Sequence, residues 1–136
     1  MKSKKLMIAL IIEGCDDDVI FGRVQYEDDL LVASAKTIEG LQKKMKRLLY
    51  SFHKIKPDQL IFDLQYDIAG LFDQKKYLNA SVVADRAGIS RGLMRQYIAG
   101  LKYPSADRTL KIQETVNELG KELQEVKVAA RRGKMV

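Results

Sequence analysis

Residues 80–99 read ASVVADRAGISRGLMRQYIA, and this stretch decides the C-terminal half of the fold. Asn79 and Ser90 stand as N-caps before two short amphipathic segments, Ala80–Ala87 and Arg91–Ala99, and Gly88 and Gly100 stand where each stops. Two helices meeting at a steep angle through a tight turn need a small residue where they cross, and Ala84 supplies it. They also need a residue that tolerates positive φ at the turn, and Gly88 is placed there. Val83, Ala87, Ile89, Met94 and Tyr97 are spaced to face inward from both segments. That leaves Ser90, Arg91, Gly92, Arg95 and Gln96 outward near the start of the second helix, where a recognition helix meets base edges. A ligand-free helical hairpin would use much of the same spacing. The caps, the small residues and the outward arginine pair together favour DNA.

Outward from this segment, Asp67 can cap a short helix holding Ile68, Leu71 and Phe72. Pro104-Ser105 opens a last helix whose inner face is read as Leu110, Ile112, Val116, Leu119 and Leu123. The tail Arg131-Arg132-Gly133-Lys134 is expected to fray.

The first half alternates strand and helix signals. Leu6 to Ile12 is a continuous apolar run, and Gly14-Cys15-Asp16-Asp17-Asp18 after it is rich in turn formers. Val19–Tyr26 and Leu30–Ala35 read as further strands. From Thr37, Ile38, Leu41, Met45, Leu48, Phe52 and Ile55 fall at helical spacing, with Lys43, Lys44, Lys46 and Arg47 on the other face, until Pro57 bars continuation. Leu60, Phe62, Leu64 and Tyr66 then alternate as a fourth strand. The expected fold is α+β: a β-β-β-α-β unit over residues 1–66, an all-α unit over 67–122 and an extension over 123–136.

Composition narrows the function. The 136 residues carry 24 basic and 18 acidic side chains and a single Cys, which excludes an intrachain disulfide framework or a thiolate-rich zinc site. The excess sits in the second half, net +5 over residues 65–136 against +1 before, as suits a polyanionic partner. Lys2, Lys4 and Lys5 ahead of the apolar run, with Gly14-Cys15 behind it, imitate an export signal or a lipoprotein cleavage site. Glu13 is misplaced for that, and seven apolar residues fall far short of the roughly 20 that span a bilayer, so a buried strand in a cytoplasmic protein is expected. No Walker loop, G-x-G-x-x-G, H-E-x-x-H or G-x-S-x-G occurs, and no cofactor or metal is expected. A nuclease with two Mg²⁺ needs a carboxylate within its first strand, and Leu6–Ile12 has none. His53 reads as a structural imidazole, Cys15 as a small hydrophobe, and the chain as a non-enzyme.

Val83-Ala84-Asp85-Arg86-Ala87-Gly88-Ile89-Ser90, with Gly100-Leu101-Lys102-Tyr103-Pro104-Ser105 and Thr109-Leu110-Lys111-Ile112, resembles the Cro/repressor (XRE-type) helix-turn-helix over about residues 67–122. By that resemblance Arg91 and Arg95 contact bases or phosphates, Ser90 and Gln96 add hydrogen bonds, and Ser81 and Lys102 hold flanking phosphates. Gly92 departs from a good helix former and could admit a close base pair. The β-β-β-α-β order before this motif, with Phe21-Gly22 and Thr37-Ile38-Glu39, resembles the HicB antitoxin family, whose N-terminal part is a degraded ribonuclease-H-like fold. Where that family has Pro-Asp-Leu-Pro-Gly-Cys, this chain has Tyr26-Glu27-Asp28-Asp29-Leu30-Leu31. The resemblance implies an antitoxin that holds an HicA-type ribonuclease toxin and represses its own operon. The acidic stretches Asp16, Asp17, Asp18 and Glu27, Asp28, Asp29 could face the toxin's basic groove, or could be solvated turns. Homodimerisation is expected because one recognition helix reads only a few base pairs, and Leu119, Leu123, Val126 and Val128 carry apolar character past the motif. The alternative is a stand-alone repressor whose N-terminal domain senses a ligand or drives oligomerisation.

Overall fold

The computed structural model describes residues 4–131, the side chain of Cys15 excepted. The readings given above for that side chain, for Lys2 and for the tail beyond Arg131 lie outside the described residues. The chain is mixed α+β and divides into two compact units, Met1–Tyr77 and Leu78–Val136. Among the described residues no helix is long and apolar enough to cross a membrane.

The first unit is a four-stranded mixed sheet with strands β1 (Leu6–Asp16), β2 (Val19–Tyr26), β3 (Asp29–Ala35) and β4 (Leu60–Tyr66) in the order β3-β2-β1-β4. β2 pairs antiparallel with β1 and β3, and β4 pairs parallel with β1 from Leu6↔Leu60 to Ile12↔Tyr66. The parallel pair requires a crossover, which helix α1 (Ile38–His53) supplies. The apolar run Leu6–Ile12 is thus a central strand, with Ile8, Leu10 and Ile12 buried. Leu41, Met45 and Leu49 of α1 are fully buried in the same cluster as Ile20, Val24, Leu31 and Leu60. Each such side chain contributes roughly 1.5–3 kcal/mol by leaving water.

Two boundaries differ from the sequence reading. β1 continues to Asp16 through a bulge between Ile12 and Cys15, so the turn shrinks to Asp17 and Asp18. Both have positive φ, 51° and 62°, the backbone that a two-residue hairpin needs to match strand twist and that Asp tolerates better than most residues. In α1, Phe52 is 64% exposed and Leu49 takes the inward place expected for it. Each step of four residues advances about 40° round a helix, so the stripe Leu41–Met45–Leu49 leads on to His53 and leaves Phe52 about 60° behind Leu49. His53 is accordingly half-buried, edge-on to Tyr26 at 4.8 Å, with its Nε2 3.0 Å from the Asp29 carboxylate.

Helix α2 (Ile68–Gln74) packs against β1, so the first unit runs through Tyr77 rather than stopping at residue 66. The Asp67 backbone N–H donates to the Ile12 carbonyl at 3.1 Å, and the Asp67 carboxylate accepts from Gly70 N–H at 2.7 Å. Gly70 is buried against β1 so closely that a Cβ there would lie 2.2 Å from the Ile12 carbonyl oxygen. Only glycine permits that approach.

The second unit holds α3 (Ala80–Ala87), α4 (Arg91–Ile98) and α5 (Ala106–Glu125), with α3 packed on both others. Its inner face on α5 differs from the expected one: Leu110 and Leu123 are 56% and 61% exposed, whereas Ile112 and Thr115 are buried. Leu110 sits two residues, about 200°, from Ile112. Leu123 lies near the end of the 20-residue α5, about 100° round the helix from Glu122, which faces Arg86 of α3. Thr115 is tolerated inside because its hydroxyl donates to the Lys111 carbonyl at 2.8 Å.

Candidate nucleic-acid interface

The α3–α4 pair is built as its residue types require. Asn79 Oδ1 accepts from Ser81 and Val82 N–H at 3.0 and 3.3 Å, which starts α3. Gly88, at φ 71°, ends it in the left-handed conformation, and Ile89 N–H donates back to the Ala84 carbonyl at 2.9 Å. Val83, Ala84, Ala87, Ile89, Met94 and Tyr97 are all buried, which fixes the two helices on each other. Ser90 Oγ accepts from Leu93 N–H at 3.1 Å and opens α4 with its own hydroxyl hydrogen still to give.

The residues singled out on α4 emerge together. Ser90, Arg91, Gly92 and Arg95 are exposed and Gln96 is half-buried. Arg91 and Arg95 are one helical turn apart on one stripe, about 6 Å along the axis. α4 contains no acidic residue, and its N-terminal end adds the positive pole of the helix dipole. Lys102 is exposed in the loop after α4, beside exposed Leu101 and Tyr103, and Ser81 is half-buried at the start of α3.

One neighbour escaped the sequence reading. Asp85, at the outer face of α3, receives a two-pronged bond from Arg91, Nε to Oδ1 at 3.1 Å and Nη2 to Oδ2 at 2.7 Å. Hydrogen bonding from Arg91 holds the Asp85 carboxyl below the usual carboxylate range. Arg91 is therefore engaged within the chain, and Arg95 has no comparable fork among the described residues. The only sequence signal was an acid and an arginine six residues apart across a glycine turn. Elsewhere in the unit, Arg108 donates to the Tyr97 hydroxyl at 3.1 Å, and Arg86 pairs with Glu122, joining α3 to α5.

Gly92 is open: the nearest atom to an added Cβ is Arg95 Nη2 at 3.8 Å. Gly92→Ala is expected to stabilise the second unit by about 1 kcal/mol, the helix-propensity difference, read as a higher urea midpoint. A lowered midpoint would mean that this position is crowded in solution.

The acidic stretches of the first unit do not come together. Asp17 and Asp18 precede β2 and Glu27 and Asp28 follow it, so eight strand residues, about 26 Å, separate the two turns. Asp16 ends β1, and Asp29 begins β3 with His53 against its carboxylate. They stand at opposite ends of β2. Leu119 is half-buried, and Leu123, Val126 and Val128 are exposed. Among the described residues no three His, Cys, Asp or Glu are grouped to hold a metal ion.

Comparison of the chain with protein-family models, with curated proteins and with solved structures found no match.

Proposed function

We propose that this chain is an antitoxin of the HicB type that also represses its own operon. In this reading the second unit is a Cro/repressor-type helix-turn-helix that binds operator DNA. The first unit is a partial ribonuclease-H-like domain that holds an HicA-type ribonuclease toxin, and the protein acts in the cytoplasm without a cofactor. The observation that carries it is the α3–α4 pair, locked by Val83, Ala84, Ala87, Ile89, Met94 and Tyr97, with Ser90, Arg91 and Arg95 outward at the start of α4. Sheet order β3-β2-β1-β4, with β4 parallel to β1, supports the ribonuclease-H-like reading of the first unit. A catalytic version would place a metal-binding carboxylate in the middle of the first strand; Leu6–Ile12 is apolar there, and Glu13 beyond it is paired with Arg23, so neutralising a partner's nuclease is the favoured role.

A small basic reading frame beside the gene is expected, and co-expression with its product tests the antitoxin role. Growth rescue together with co-purification is the expected result. A toxic neighbour that neither binds nor is rescued would leave the stand-alone repressor. A fragment used to map toxin binding must run through Tyr77, because α2 is part of the first unit.

The exposed apolar residues at the end of α5 support a homodimer on paired half-sites. Leu123→Glu with Val126→Glu is expected to convert the dimer to a monomer in light scattering while leaving the helical circular dichroism unchanged. A wild-type monomer at micromolar concentration would remove the dimer.

A further inference from the structure

Dividing the charge at residue 64 hides where it resides. Seven of the 24 basic side chains and one of the 18 acidic ones lie between Lys36 and Lys56. That stretch, which forms α1 and its flanks, carries net +6 in 21 residues, a denser excess than the +5 spread over residues 65–136, while the remaining residues are net acidic.

The fold turns these cations outward. Lys43 and Arg47 stand two residues on either side of buried Met45, about 200° round the helix from it. With exposed Tyr50, and with exposed Lys54 at the cap just past the helix, they make a stripe along a helix about 24 Å long. The contacts that the stripe and its neighbours make are with neutral groups. Lys44 Nζ donates to the Ser34 carbonyl at 2.6 Å, and Lys54 Nζ donates to the Ser51 carbonyl at 3.4 Å and lies 5.8 Å from the centre of the Tyr50 ring. Among the described residues none of the lysines and the arginine of α1 takes part in an ion pair. A face that serves only solubility ordinarily mixes both signs, and like charges three and four residues apart weaken a helix. Lys43 with Lys46 and Lys43 with Arg47 are such pairs, and Glu39 is the lone acid of the helix.

We propose that the outward stripe of α1 binds the phosphate backbone of double-stranded DNA, as a contact independent of α4. A straight row of one-sign charge complements a long, regular polyanion. A single-stranded nucleic acid calls for several stacking rings, and this stripe offers only Tyr50, with the Lys54 ammonium near its ring. The contact reads no sequence. It supplies salt-dependent affinity, each neutralised phosphate adding about 0.9 to the slope of log affinity against log salt.

The test uses the full chain and a duplex of arbitrary sequence, titrated by fluorescence anisotropy between 50 and 200 mM salt. Lys43→Gln, Arg47→Gln and Lys54→Gln are combined, in the wild type and in an Arg91→Ala, Arg95→Ala background. Gln is a good helix former at Lys43 and Arg47, Lys54 is the left-handed cap just past the helix, and all three sites are exposed, so circular dichroism should not change. The expected result is a slope shallower by about two to three in both backgrounds. Lys43→Arg with Lys54→Arg, which keeps the charge, should preserve the slope. An unchanged slope in the triple variant, or no duplex binding by the wild type, overturns the proposal. So does tighter binding of single-stranded RNA that the triple variant loses, or displacement of the duplex by polyglutamate at equal charge. Failure of the α4 reading appears separately, as wild-type operator binding by the Arg91→Ala, Arg95→Ala variant.

Discussion

Gly70→Ala is expected to destabilise the first unit by about 3 kcal/mol or more, at or above the upper range for overpacking. The added Cβ would lie 2.2 Å from the Ile12 carbonyl oxygen and 2.9 Å from its carbonyl carbon. Neither is the free end of a side chain. Ile12 belongs to the central strand, with Gly22 opposite it on one side and Tyr66 on the other, so β1 cannot retreat without disturbing two pairings. If α2 retreats instead, the Asp67 N–H to Ile12 bond is lost and the helix leaves its seat. Set against a typical domain stability of about 5–15 kcal/mol, this is a severe lesion. Gly120→Ala is the control: nothing lies within 4 Å of its added Cβ, and about 1 kcal/mol of stabilisation is expected. Urea titration of the full chain by circular dichroism measures both. A Gly70→Ala midpoint equal to that of the wild type would show that α2 is not seated on β1.

The second large effect is on operator binding. Arg91→Ala and Arg95→Ala are each expected to weaken it roughly 5- to 150-fold if the guanidinium reads a base. If it reads only phosphate, specific and arbitrary duplexes weaken alike. The two arginines are not equivalent, because Arg91 must give up Asp85 before it meets DNA. Asp85→Ala is therefore expected to raise affinity for a duplex of any sequence by releasing Arg91. The pH dependence follows from the lowered Asp85 carboxyl: the pair persists through neutral and mildly acidic solution and is lost only as pH falls through that depressed value. Anisotropy measurements with operator and arbitrary duplexes for the three variants decide the matter. Unchanged binding by all of them would dismiss α4 as the reading helix.

Local chemistry made much of the architecture legible. Thr37, Asp67, Asn79, Ser90 and Ser105 each cap the helix that their residue type announces, and the alternation from Leu60 to Tyr66 is a strand. What escaped depends on contacts between distant residues. Ile68, Leu71 and Phe72 mark α2 as amphipathic without saying what it packs against, and the answer lies in Gly70 meeting a carbonyl 58 positions earlier in the chain. Leu49 and Phe52 are equally apolar, and only the direction of the stripe across the sheet separates them. On α5 the face that α3 covers decides which leucines stay wet. The α4 surface was legible as residues, but the Asp85 fork on Arg91 required knowing how the Gly88 turn brings two helices side by side.

The parallel pairing of β1 with β4 also sets a clock on folding. β1 and β2 can close as a hairpin as soon as Asp17 and Asp18 have turned, and β3 can add itself the same way. The far edge of β1 stays unpaired until the chain has passed through α1 and reached Leu60. At roughly 5–20 residues per second, a ribosome takes several seconds to make that stretch. During that interval a β-hairpin, which forms in about 1–10 μs, has long been ready with an apolar strand bare along one edge. Until then the nascent first unit exposes an unpaired apolar edge of the kind that pairs with other chains. Synonymous codons that slow translation while residues 36–66 emerge from the ribosome should lower the soluble yield without altering the finished protein.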